Sequence, residues 1–207
     1  MLFRSLVPVL WAAFIFAAWF VARHGLPWHG WLAMVLATGA VGGFGINLAH
    51  EMGHKHNRLE RTLALWVLAP SGYGHFCIEH NRGHHHDVAT PQDTASSRMG
   101  ESIWAFVWRE MPGGARRAWQ YETQRLKRLG CSPFHAHNQI LQGLAITAAL
   151  WSALVLWLGP EVLGFILPVA LWTNFQLTSA NYVEHYGLKR LQSPEGDFRS
   201  EEHTSEL

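Results

Sequence analysis

The polar and apolar residues of this chain are segregated into blocks. Leu6 to Ala22 (LVPVLWAAFIFAAWFVA) is 17 residues without a charge, the lower limit for a helix that spans a bilayer. Arg4 ahead of it fits a secretory signal, but bulky aromatics fill the run. Arg23-His24 also stands where a cleavage site would need small residues. A retained transmembrane helix is therefore expected. A short turn containing Pro27 leads to a second apolar run, Trp31 to Ala49, which carries Gly39, Gly42, Gly43 and Gly45. Small residues at that spacing let helices approach closely in lipid.

Leu63 to Ile78 is also apolar but is interrupted by Pro70, Gly72 and Gly74. It is too short and too broken to span, so it reads as a re-entrant or interfacial segment. Residues 79 to 138 are polar and Arg-rich, as expected of a region lying on the membrane surface. Ile140 to Leu158 and Val162 to Ala180 flank Gly159-Pro160 and form a second predicted hairpin. The pattern predicts an all-α membrane protein with four transmembrane helices in two hairpins. No internal repeat or low-complexity segment is evident.

Composition changes this picture little. Of the 207 residues 49% are hydrophobic and 15% charged, and the mean hydropathy near zero hides the segregation into blocks. A net charge of +1 without a basic face argues against nucleic acid as a partner. Cys77 and Cys131 are too few for a disulfide framework and lack CxxC spacing. Charge does set an orientation. Of the 16 Lys and Arg, only Arg23 lies in a predicted external turn, so both termini and the large central loop are expected in the cytoplasm.

Histidine is the unusual residue: there are 14, many of them clustered. His50-Glu51-Met52-Gly53-His54 closes the second span, and His50 and His54 at i, i+4 share a helix face. Glu79-His80-Asn81-Arg82-Gly83-His84-His85 offers a second i, i+4 pair, His80 and His84, with His85 turned about 100° away. Asn181 to Leu188 (NYVEHYGL) brings His185 to the inner end of the last span. Six imidazoles at one membrane boundary exceed the three or four protein ligands of a zinc site and point to two ions. Imidazole suits Zn, Cu, Fe and Ni alike, so the metal stays open on ligand chemistry alone. Glu51, Glu79, Asp93 and Glu184 are candidates to orient ligating imidazoles through hydrogen bonds. His56, His75, His135 and His137 read as interfacial or loop residues, His86 as a neighbour supporting the ligands or a surface residue, and His24 and His29 fall on the opposite side. Arg116, Arg117, Arg125, Lys127 and Arg128 form a basic group that could attract an acidic electron donor or anionic lipid.

HEMGHK at His50 to Lys55, EHNRGHH at Glu79 to His85 and NYVEHYGL at Asn181 to Leu188, in that order, resemble the signature motifs of the membrane alkane monooxygenase family. The stretch from Val88-Ala89-Thr90-Pro91 to Gly100-Glu101 is similar to the family's segment after its second motif, and the xylene monooxygenases share the same plan. The resemblance runs from about Trp31 to Phe198. It implies a six-helix fold of the bacterial inner membrane and two non-haem irons held by histidines at the cytoplasmic face. Electrons would come from rubredoxin and its NAD(P)H-dependent reductase, and O2 would supply the oxygen for hydroxylating the terminal carbon of a hydrocarbon. By motif, the iron ligands are His50, His54, His80, His84, His85 and His185. The family also has a later His-rich motif and a helical hairpin ahead of the region matching Leu6. Residues 1–199 are therefore expected to be one incomplete domain, and residues 200–207, which include His203, a tail outside the family pattern.

Three other functions compete. A membrane zinc protease would explain HEMGH with Glu51 as general base, but neither of the other two motifs. A metal transporter calls for ionisable residues inside the spans, which are nearly free of them. A fatty-acyl desaturase is chemically nearest, and the NYVEHYGL and VATP stretches favour hydroxylation over it.

Overall fold

The computed structural model describes residues 2–191; the tail at 200–207 lies outside the described residues. Every regular element among these residues is helical. The first hairpin pairs α1 (Leu2–Arg23) with α2 (Trp28–Gly53), and the second pairs α7 (Gln139–Leu158) with α8 (Leu163–Glu184). All four are long and apolar enough to cross a membrane. Each outruns its sequence-predicted core, because polar and interfacial residues extend the helical hydrogen bonding at the ends. The 26 residues of α2 reach about 39 Å at 1.5 Å per residue, well beyond a ~30 Å hydrocarbon layer.

The glycines of α2 face α8. A β-carbon on Gly39 would collide with the Trp172 side chain, and one on Gly42 with Thr173. This close approach lets polar groups of α8 reach the α2 backbone, where Thr173 Oγ1 and Gln176 Nε2 donate to the Gly39 carbonyl at 3.2 and 2.8 Å. Apolar packing fills the rest. Phe14 and Ala18 of α1 meet Val35 of α2, Leu150 of α7 and Phe165 and Ile166 of α8.

The interrupted third apolar segment begins earlier than its hydropathy implies. Asn57 caps α3 (Arg58–Leu68) by accepting the Leu59 N–H at 2.9 Å. A single 3-10 turn, Ala69–Ser71, then breaks the chain before the short α4 (Phe76–Glu79). The break frees backbone carbonyls inside the bundle, where each must find a donor. Thr147 Oγ1 donates to Ala69, Trp151 Nε1 to Pro70 and Asn174 Nδ2 to Ser71. Polar side chains in α7 and α8 thus stabilise an irregular segment that ends at the second histidine motif.

The polar region contains an element that hydropathy did not reveal. After the second histidine motif and the three-residue α5 (His85–Asp87), α6 runs 26 residues from Ile103 to Arg128. Ser102 caps it by accepting the Ala105 N–H. Phe106, Glu110, Ala118, Glu122 and Leu126 are buried along one face, the four-residue repeat of a helix packed on its neighbours. This face carries two carboxylates, which disguised it as a loop. The connecting segment is tied across the bundle end as well: Ser97 donates to the Tyr182 carbonyl, Tyr182 to that of Glu101, and the Gly187 N–H to that of Ser97.

Candidate metal centre

Four of the six motif histidines converge. His50 stands in the last turn of α2 and His54 caps that helix. Their Nε2 atoms are 3.1 Å apart, close to the ~3.0–3.4 Å between two imidazole nitrogens bound to one ion. His80 packs on His50 with ring centroids 4.6 Å apart, and His85 lies 4.5 Å from His80 and 5.0 Å from His54. One nitrogen from each of the four lies within 4.8 Å of the others.

The second motif achieves this by departing from the helix expected of it. His80–His84 is a π turn, closed by the His85 N–H donating to the His80 carbonyl five residues back. A π turn holds more residues than an α turn and brings i and i+5 onto one face. His80 therefore pairs with His85 in the cluster, and His84 is turned aside. This replaces the i, i+4 pairing of His80 with His84 that the spacing suggested; their ring centroids remain 5.3 Å apart. Gly83 supplies the room, because a β-carbon there would sit 2.7 Å from Glu79 Oε1 and 2.8 Å from Arg117 Nη2.

His84 faces His185 instead, with ring centroids 4.8 Å apart. Asp93 Oδ2 accepts the His84 Nδ1–H at 2.9 Å, and the Asn181 carbonyl accepts the His185 Nδ1–H at 3.0 Å. In both rings Nε2 therefore carries the lone pair. Burial alone would raise the Asp93 carboxyl. The hydrogen bonds from His84, Ser96 and the Ala95 backbone hold it below the usual range instead.

Burial and neighbouring imidazoles favour the neutral forms of His80 and His185. Burial, followed by the mutual repulsion of its histidine neighbours, pushes His80 down to about 2. Burial and His84 lower His185 likewise. Neutral imidazole is the form that binds metal. Buried His80 Nε2 has no hydrogen-bond partner, an arrangement that costs stability unless something accepts its lone pair. A metal ion fits these four residues on that observation.

The four carboxylates singled out from sequence have different surroundings. Glu51 lies 3.5 Å from His50 Nδ1 and Asp93 holds His84. Glu79 is buried beside His80 and its carboxyl is pushed up to about 7 by burial, with Arg117 opposing the rise. Glu184 is exposed, and its side chain makes no hydrogen bond or ion pair with a described residue. His86 is exposed and pairs with Asp87. His75 is half-buried against Tyr73.

Residues of α6 that sequence reasoning missed, or placed differently, support the centre. Arg117 does not join an outward basic face. Its side chain is 12% exposed and lies 2.7 Å from Asp87, 3.3 Å from Glu79 and 3.8 Å from Asp93. It also donates to the Gln92 carbonyl. Arg125 is engaged by Glu122 and the His137 carbonyl, whereas Arg116, Lys127 and Arg128 are exposed. Glu110 accepts from Thr178 Oγ1 at 2.7 Å and Asn181 Nδ2 at 3.2 Å, joining α6 to the turn that carries His185. The available signal was the repeat of Phe106, Glu110, Gly114, Ala118, Glu122 and Leu126 at intervals of four.

Four apolar helices with a histidine cluster at one end define a membrane protein with a candidate metal centre. Sequence comparison carries this further: the sequence model for fatty acid desaturase matches residues 9–205, and the chain belongs to that family. Relatives named alkane 1-monooxygenase, from Pseudomonas putida and Alcanivorax borkumensis, are each 48% identical over 192 residues, 93% of this chain and 48% of their own length. A xylene/toluene monooxygenase hydroxylase component from Pseudomonas putida is 31% identical over 144 residues, 69% of this chain and 39% of its own. The chain spans about half the length of the curated relatives it matches.

Proposed function

We propose that this chain carries the metal centre of an integral-membrane, non-haem di-iron monooxygenase that hydroxylates the terminal carbon of alkanes or similar hydrocarbons. The observation that carries the reading is the convergence of His50, His54, His80 and His85 at one end of an apolar bundle. Its closeness in sequence to proteins named alkane 1-monooxygenase supports the substrate class.

His50, His54, His80 and His85 would hold one iron, and His84 and His185 would contribute to the site of the second. Bound iron supplies the activation of O2 and the oxidising equivalents for C–H hydroxylation. The protein's own residues do the rest. Burial keeps His80 neutral and therefore able to bind, and Asp93 and the Asn181 carbonyl fix the tautomers of His84 and His185. Arg117 holds Glu79 and Asp87 in place on either side of the π turn.

The route for substrate is apolar. A narrow crevice between α1, α2, α3 and α8 is lined mainly by apolar side chains, among them Leu10, Phe14, Val41, Val67 and Val169, with Thr38, Ser71 and Thr173 as its polar members. It reaches Gly45, little more than one turn of α2 before His50. A hydrocarbon partitioned into the bilayer can enter there without crossing water. Charge distribution supports the cytoplasmic side of a bacterial inner membrane for the centre. Rubredoxin and its NAD(P)H-dependent reductase are the proposed electron donors, and exposed Arg116, Lys127 and Arg128 offer cationic groups for an acidic one.

Product analysis tests the reading. Membranes containing the full-length protein, supplied with these donors, are given an n-alkane and, separately, a fatty acyl substrate. A 1-alkanol from the alkane is expected. An alkene from the acyl substrate as sole product assigns the protein to desaturation and refutes the proposal.

A further inference from the structure

The corner between α6 and α7 holds a second group of metal-binding side chains, distinct from the histidine centre. Cys131, His135 and His137 present one sulfur and two imidazole nitrogens, all within 4.8 Å of one another. The two rings meet edge to face with centroids 4.6 Å apart. We propose that Cys131, His135 and His137 form a zinc site that clips the α6–α7 corner, with water completing a tetrahedral shell.

The donor set selects the ion. A thiolate with two imidazoles suits Zn2+ and is poorly matched to Mg2+ or Ca2+, which take oxygen ligands. Donors around a four-coordinate zinc stand roughly 3.3–3.8 Å apart. The present separations, up to 4.8 Å, are about an ångström wider, so the side chains would draw in around the ion. His135 Nδ1 accepts the His137 N–H at 3.2 Å, and a zinc bound through Nδ1 exchanges this long hydrogen bond for a metal bond.

The backbone of the corner is already held in place, which is what a small metal site needs. The Cys131 N–H donates to the Leu126 carbonyl at 2.9 Å and the Asn138 N–H to that of His135 at 2.8 Å. Asn138 Nδ2 holds the Pro133 carbonyl at 2.7 Å, and Arg125 Nη2 holds that of His137 at 2.6 Å. The Arg125 charge is balanced by Glu122, which accepts two of its N–H groups, so it does not stand unpaired beside the cation. Packing does not account for the grouping: His135 and His137 are exposed, and neither makes an ion pair with a described acid. His135 and His137 are exposed, so an incoming ion can reach them, and His137 also borders a polar cavity of about 600 Å³.

Zinc loading of the detergent-purified full chain tests this, independently of the proposed oxygenase activity. The protein is loaded with Zn2+, desalted and assayed for metal per chain, alongside Cys131→Ser, His135→Ala and Cys77→Ser. The expected result is one zinc equivalent fewer in the first two variants than in the native protein. Cys77→Ser and the iron content of every variant should be unchanged. Co2+ should give a thiolate-to-metal charge-transfer band that depends on Cys131. A Cys131→Ala/His80→Ala comparison separates the two sites, since each substitution should remove only its own metal. Helical circular dichroism identical to native confirms that the variants fold. Equal zinc in native and Cys131→Ser protein, or a cobalt band absent or dependent on Cys77, overturns the proposal.

Discussion

Arg117 is the side chain whose removal should reveal most about how the centre is held. It bridges Glu79, Asp87 and Asp93 from a position 12% exposed. Deleting one partner of a buried ion pair costs about 3–5 kcal/mol, because the other charge is left without compensation. Two features of this site reduce that figure. The Glu79 carboxyl is already pushed up to about 7 by burial, so near neutrality it can shed its charge by taking a proton. The Asp87 side chain is 20% exposed and can recover water. Arg117→Ala should therefore cost about 2–3 kcal/mol, which lowers the unfolding midpoint by roughly 5–10 °C in a chain of this size. Arg117→Lys, a point charge without the forked donors, should fall between the two. Thermal unfolding of detergent-purified protein, followed by helical circular dichroism, measures the shift. An Arg117→Ala midpoint equal to native would show that Arg117 faces solvent and would refute the packing described for α6.

Three further expectations can be checked. Asp93→Asn removes the charge that holds the His84 Nδ1–H and should weaken metal retention about 10–100-fold, read as metal per chain after dialysis against a chelator. Gly42→Val places a branched side chain where even a β-carbon meets Thr173; overpacking of this kind costs about 1–3 kcal/mol and should appear as a lowered thermal midpoint. Burial raises the Glu110 carboxyl above its ordinary 4.5, although hydrogen bonds from Thr178 and Asn181 oppose the rise. The folded state therefore binds that proton more tightly, and its contribution is full below pH 4.5 and is lost as pH rises through the higher folded value. Denaturant titrations of metal-free protein across this range should show that part of the pH dependence missing in Glu110→Gln.

The sequence was readable where a single physical rule governed it. Uninterrupted apolar runs marked the four helices able to cross a membrane, and Gly39 and Gly42 marked a close-packing face on α2, because lipid imposes length and close packing imposes small residues. The histidine motifs named six side chains, of which His50, His54, His80 and His85 meet in one cluster while His84 faces His185. Pairing within the second motif was not legible, since the π turn at His80–His84 packs Glu79 and Gly83 against Arg117, which arrives from a helix far along the chain. Long α6 was hidden for a related reason: its buried stripe includes Glu110 and Glu122, which hydropathy scores as surface. Arg117 looked like part of a basic patch because charge counts say nothing about which way a helix faces. Cys131, His135 and His137 looked unrelated, their association arising only when the α6–α7 corner folds.

Whether the motif histidines hold iron for oxygen chemistry is tested most directly by iron quantification with Mössbauer spectroscopy. Full-length protein, native and His80→Ala, is expressed with 57Fe and purified in detergent. Two irons per native chain in a nitrogen-rich, non-haem environment are expected, with loss of iron in His80→Ala. Native protein without iron, or iron content indifferent to His80, would contradict the role assigned to these histidines.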